Sequence, residues 1–260
     1  MFFSWLKRRR RRRLVAGPFP ADWLEYLKRN VGHYRYLTDG ERAALRDRLR
    51  VFVAEKHWEG CGGLELTDEI KVTIAAQACL LVLGFDEEYY DHVLSILVYP
   101  GDYLVPTEHR DAMGIVTEGH SHRSGEAWHR GPVILSWEDA RDCDAHDGQN
   151  LVLHEFAHQL DMKNGPPNGT PPLRGRQRRR RWAAVMQREF QRHRRRVRHG
   201  EPTLLDPYGA TDEAEFFAVA TEAFFEQPVE LEREHTDLYG VLADYYRQNP
   251  AGRMRAAGAD

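Results

Sequence analysis

The stretch "NLVLHEFAHQLDMKNG", residues 150–165, sets His154 and His158 four positions apart with Glu155 directly after the first histidine. On a helix, residues four apart lie on one face, so both imidazoles can reach one metal ion while the carboxylate stands beside them. That is the donor set of a zinc hydrolase centre, in which the glutamate takes a proton from water. Composition alone yields such a string in about one chain in twenty at this histidine content. The rest of the chain must therefore supply a third ligand and a scaffold.

Catalytic zinc takes three protein ligands and keeps a position open for water, so two histidines are one short. The downstream stretch "DPYGATDEAEFFAVATEAFFEQP", residues 206–228, contains a helix that starts behind Asp212 in an Asp-x-x-Glu capping arrangement and stops before Pro228. Glu215 and Glu222 lie two turns apart on one face of it, among Phe216, Val219, Phe225 and alanines. A carboxylate on an apolar face is costly unless paired or metal-bound, so one glutamate is expected to bind zinc and the other to hold a histidine. Spacing does not choose between them. Asp161, three after His158, is expected either to accept a hydrogen bond from a ligand histidine or to cap or solvate the end of its helix.

Together, "NLVLHEFAHQLDMKNG", "GPVILSW" and "DPYGATDEAEFFAVATEAFF" resemble the Mlc titration factor A family, cytoplasmic bacterial zinc peptidases related in fold to the anthrax lethal factor catalytic domain. The resemblance runs over residues 19–246. It implies His154, His158 and Glu215 as ligands of Zn2+, Glu155 as general base, and Tyr208, seven residues before Glu215, facing the reacting carbonyl. It also implies activity of aminopeptidase type on peptide or protein substrates, and a transcriptional repressor of sugar uptake as partner. The expectation is a zinc peptidase; the alternative is a regulatory protein that titrates such a repressor, with zinc structural. The polyarginine run, the arginine-rich helix after Gly175 and the histidine-rich stretch before Gly131 do not match the family pattern.

The elements that must position these residues follow from periodicity. Residues 19–93 read as helices in "ADWLEYLKRNV", "DGERAALRDRLRVFVAEKHWEG" and "LTDEIKVTIAAQACLLVLGF", with Asp39 and Thr67 or Asp68 as N-caps and Gly60 and Gly84 as stops. The third is apolar on most sides and is expected deep in the core. From residue 94 the signal changes to short β-forming runs, "SILVYPGDYLVP" and "GPVILSW", the second either an edge for holding an extended peptide or simply core. Between them "TEGHSHRSGEAWHRG" reads as a solvated loop in which His120, His122 and His129 offer a conceivable second metal site. "NGPPNGTPPLRG" is turn-rich and ends the motif helix. The following "RQRRRRWAAVMQREFQRHRRRVRHG" is a helix with a buried stripe at Trp182, Met186, Phe190 and Val197, its other faces solvated arginine.

The fold class expected is thus α+β, a zincin-type metalloprotease domain with a helical N-terminal part, a small mixed sheet and the H-E-x-x-H helix. Residues 1–18 are expected as a basic, disordered arm, and 19–260 as one domain, helical scaffold to 93 and catalytic part beyond. The formal charge of −3 hides arginine blocks in "KRRRRRR" and residues 174–198, read as solvated faces; the alternatives are an arm that touches anionic lipid or nucleic acid for the first and a nucleic-acid surface for the second. Three cysteines, Cys61, Cys79 and Cys143, show no C-x-x-C pairing and fit a reducing cytoplasm. No apolar run reaches the roughly 18 residues needed to span a bilayer. The apolar "MFFSWL" precedes the basic run, the reverse of a secretory signal.

Overall fold

In the computed structural model the chain is a mixed α+β protein, mostly helical, around a small sheet. It describes residues 2–86, 89–101, 103–110, 116–123, 125–127, 131–141 and 148–258, with side chains from residue 5 onward and outside 102–130.

The N-terminal part is built on α2 (Ala21–Asn30), α3 (Asp39–Glu55) and α4 (Asp68–Leu81). α3 is capped one residue earlier than expected. Thr38 accepts from the Glu41 amide at 3.3 Å while the Glu41 carboxylate accepts from the Thr38 amide at 2.9 Å, a reciprocal box that satisfies two orphan donors. α4 starts behind Thr67, whose hydroxyl accepts from the Ile70 amide. From Val72 to Leu81 each of its residues is buried, and it packs against α2, α3, α5 (Trp137–Arg141) and α6 (Leu151–Asp161), as an all-round apolar helix must.

The expected continuation of α3 to Gly60 is corrected by the structure. The helix ends at Glu55, Lys56 turns extended, and β1 (His57–Gly60) pairs in parallel with β2 (Ser95–Tyr99). The Lys56 ammonium drives that departure by donating to the Tyr90 and Val93 carbonyls at 2.6 and 2.9 Å. β2 pairs in parallel with β6 (Val133–Ser136), and β6 antiparallel with β5 (Gly125–Ala127), giving the order β1-β2-β6-β5. β6, the "GPVILSW" run, is therefore interior: its Val133, Leu135 and Ser136 are buried, and among the described residues the edge strand beside it is β5. A separate hairpin joins β3 (Tyr103–Arg110) to β4 (Val116–Arg123). The stretch expected as a loop thus contains strands. His120 and His122 lie on β4, and whether they and His129 form a second metal site falls outside the described side chains.

The N-terminal arm is a helix, α1 (Phe2–Val15), where disorder was expected from its like charges. Two features offset the repulsion. Arg11 inserts between Glu55 and Asp91, its Nε donating to both Glu55 oxygens at 3.1 Å, and stacks 4.0 Å from the Tyr89 ring. Arg50 donates to the Val15 and Gly17 carbonyls at 3.0 and 2.8 Å, which closes the C-terminal end of α1. The C-terminal half consists of α7 (Arg176–Arg198), α8 (Glu213–Glu226), α9 (Pro228–Glu234), α10 (Thr236–Tyr246) and α11 (Pro250–Ala256). α7 buries Trp182, Val185, Met186, Phe190 and His193, while Val197 is only half-buried. α6 and α8 pack side by side, and between them the predicted site residues meet.

Candidate metal centre

α6 begins where Asn150 caps it, the side-chain oxygen accepting from the Leu153 amide at 2.9 Å. Asn150 is itself fastened to α8: its amide donates to Glu222 at 2.8 Å, and its side-chain Nδ2 donates to Glu226 at 2.8 Å. α8 starts at Asp212, whose carboxylate accepts from the Ala214 and Glu215 amides. Two capped helix ends thus set the register in which His154 and His158 face Glu215 and Glu222.

His154 Nε2 lies 3.0 Å from a Glu215 oxygen and 3.2 Å from His158 Nε2, and His158 Nε2 lies 3.4 Å from that same oxygen. Donors bound tetrahedrally to a small divalent ion at roughly 2.0–2.2 Å stand about 3.3 Å apart, which is the size of this triangle. Among the described residues this is the one group of three or more ligating side chains that could hold a metal ion. His154 Nδ1 meets Glu222 at 2.9 Å, so the proton on that nitrogen goes to Glu222 and leaves Nε2 able to present a lone pair. Three lone pairs brought this close are relieved by a proton or by a cation between them, and the residues present fit a cation. Of the two carboxylates left open by spacing, Glu215 joins the triangle and Glu222 backs the histidine.

With protein groups alone, the electrostatics show the same convergence. Burial opposes charge on His154, yet Glu222 and Glu215 outweigh it and hold the imidazole well above its ordinary pKa. Glu215 is pulled down to about 2; burial opposes this, and hydrogen bonds from His154 and His158 prevail. Glu155 is buried, and burial pushes its carboxyl up to about 7 against the pull of the two histidines. Its Oε2, like Nδ1 of His158, has no hydrogen-bond partner among the described residues. A buried carboxylate oxygen left unsatisfied costs free energy, and such a group is retained where a ligand or water completes it.

The model of the glucose-regulated metallo-peptidase M90 family matches residues 5–247. The chain belongs to that family. It is 39% identical to the protein slr2042 of Synechocystis sp. over 93% of this chain and 89% of that one. It is 31% identical to Mlc titration factor A of Yersinia pestis, over 90% of this chain and 87% of that protein, and equally to its counterpart in Yersinia pseudotuberculosis. A metallo-peptidase of the M90 family implies a metal ion, and the α6–α8 triangle can hold it.

Tyr208 stands beside the triangle on a short 3-10 turn, Pro207–Ala210, capped by Asp206, which accepts from the Tyr208 amide at 2.7 Å. Its ring is 56% exposed, centred 6.2 Å from that of His154. Asp161 takes neither role expected of it. Fully buried, it accepts from the Asn168, Gly169 and Thr170 amides at 2.7–2.9 Å and so ties the "NGPPNGT" loop to the end of α6. Gly169, at φ +72°, lets that loop pass so close to Glu213 that a Cβ would stand 2.3 Å from its carbonyl oxygen. Sequence reasoning missed Asn150, Glu226 and His193. The last binds the Asp206 carbonyl at 3.0 Å and backs the turn that carries Tyr208. The asparagine directly before an apolar-periodic helix was the available signal for the first.

Proposed function

We propose that the protein is a zinc-dependent peptidase in which His154, His158 and Glu215 hold the ion and Glu155 is the general base. One observation carries the reading: two imidazole nitrogens and one carboxylate oxygen converge at 3.0–3.4 Å, with the unsatisfied Glu155 carboxylate on the same helix. Nitrogen and oxygen donors in a set of three with room for water suit catalytic zinc. Zinc held there supplies Lewis acidity, lowering the pKa of water to about 7 and polarising a carbonyl.

The protein's own groups do the rest. Glu155 takes the proton of the attacking water and returns it to the leaving amine, a role open to a buried carboxylate with an oxygen that has no hydrogen-bond partner among the described residues, next to the ligand His154. Tyr208, exposed at the rim, donates a hydrogen bond to the oxygen that becomes negative as the carbonyl turns tetrahedral. Glu222 fixes the ring of His154 and its tautomer. The outer edge of β5, next to α6, is the strand an extended peptide would extend by backbone pairing. Three cysteines without C-x-x-C spacing suit a reducing cytoplasm as the setting of the activity; separately, among the described residues no helix is long and apolar enough to cross a membrane.

The test compares zinc-loaded protein with its Glu155→Gln variant on a panel of peptides and aminoacyl anilides. Loss of turnover in the variant alone, at equal zinc content, supports the reading, and equal rates overturn it; cleavage confined to N-terminal residues would make the activity of aminopeptidase type. A second reading rests on the name Mlc titration factor A borne by relatives: the chain captures a transcriptional repressor, with zinc structural. Under it Glu155→Gln leaves capture intact and neither form turns over substrate.

A further inference from the structure

We propose that α1, with Leu94 beside it, is a docking site for an anionic lipid bilayer, separate from the metal centre. The helix has two faces of opposite purpose. On the inner one Lys7 pairs with Asp91 at 2.8 Å, Arg11 with Glu55 and Asp91, and Leu14 and Val15 are half-buried as α1 lies on α3. On the outer one Trp5, Leu6, Arg9, Arg12 and Arg13 recur at spacings of three and four and are all exposed. Arg9, Arg10, Arg12 and Arg13 make no ion pair among the described residues, so four cations face solvent uncompensated.

Apolar exposure concentrates at the same place. Four large apolar side chains stand exposed in the described structure, and three of them are Trp5 at 50%, Leu6 at 43% and Leu94 at 71%. Leu6 and Leu94 line one shallow cleft with Lys7 and Arg10. The first helical turn is thus apolar and aromatic and the turns behind it cationic, with the body of the protein on the other side. An interfacial helix needs this division: a tryptophan and leucines to enter the headgroup boundary, and arginines to meet lipid phosphates. Nucleic acid would use the cations and leave Leu6 and Leu94 without a purpose, since phosphate contacts dominate such binding.

Two weak signals in combination give stable attachment where either alone is marginal. The test is co-sedimentation of the full chain with vesicles of phosphatidylcholine alone and of three parts phosphatidylcholine to one part phosphatidylglycerol, at low and at physiological salt. Binding is expected only to the anionic vesicles and to weaken with salt. The triple variant Arg9→Gln, Arg12→Gln, Arg13→Gln should bind on the order of a hundredfold less tightly. The double variant Trp5→Ala, Leu6→Ala should lose about tenfold while keeping all charges. Both sets lie on the exposed face, and unchanged circular dichroism and zinc content would show the fold retained. Absence of sedimentation at low salt overturns the proposal. So does binding that the double variant keeps in full and duplex DNA displaces, which would make α1 a nucleic-acid arm instead.

Discussion

The candidate metal centre and the arginine-rich helices carry charge under opposite rules. Between α6 and α8 every ionisable group is at least partly buried and most meet a specific partner: Glu222 on His154 Nδ1, and Glu215 on the facing Nε2 atoms. On α1 and α7 most arginines point to solvent; Arg181 with Asp244 and Arg188 with Asp237 pair across elements half-exposed, and Arg11 on Glu55 is the buried exception. Desolvation makes each buried contact obligatory, whereas water and salt screen the exposed ones. Substitutions should therefore cost much in the first region and little in the second.

The largest effect is expected from Glu215→Ala, which removes one corner of the triangle. Zinc measured after dialysis against a mild chelator should fall to background, and turnover with it. Full retention of zinc would show that the ion is held elsewhere. Glu222→Gln keeps the shape but replaces a charged acceptor with an amide, so zinc affinity should drop about tenfold to a hundredfold. If metal titration shows no change, Glu222 serves only the Asn150 amide it also accepts from.

The difference between the regions also explains what could be read in advance. His154, Glu155 and His158 were legible because a helix puts residues four apart on one face whatever the tertiary context; the helix behind Asp212 was legible too, but it left Glu215 and Glu222 both open, and only the family resemblance singled out Glu215. Other features depend on partners distant in sequence. β1 exists because Lys56 reaches the Tyr90 and Val93 carbonyls, and "HWEG" alone continues the helical pattern. Asp161 was open to backing a histidine or to capping or solvating its helix end, because its actual partners, three loop amides, carry no side-chain signature. The α1 arm read as disordered because composition counts its like charges and cannot count Glu55, Asp91 and Arg50. β6 was open to being an edge or simply core because nothing in "GPVILSW" announces that β5 lies alongside.

Burial of a single histidine sharpens the comparison through pH. His33 lies buried against the Phe225 carbonyl, and burial lowers its pKa to about 4, with Arg253 and Arg35 adding to the effect. The unfolded chain takes up this proton near pH 6.5 while the folded one resists until about 4, so folding stability is lost as pH falls through that window. By pH 5 the loss from this group is about 2 kcal/mol. Urea midpoints from pH 7 to 5 should fall more steeply for the wild type than for His33→Gln; parallel slopes would show that His33 charges freely in the folded state.

The smallest effects distinguish two neighbours of identical type. Arg11 is mostly buried, chelates Glu55 through Nε and pairs with Asp91, so Arg11→Gln leaves those carboxylates short of a donor. A cost of about 1 kcal/mol is expected, with loss of α1 helicity. Arg12, one residue on, is exposed and without an ion pair among the described residues, and Arg12→Gln should stay within about 0.5 kcal/mol. Chemical denaturation of the two variants, read with far-ultraviolet circular dichroism, measures the contrast. Equal costs would mean that α1 is held by its like-charged surface as much as by its buried pairing, and the division between the two regions would not extend to single residues.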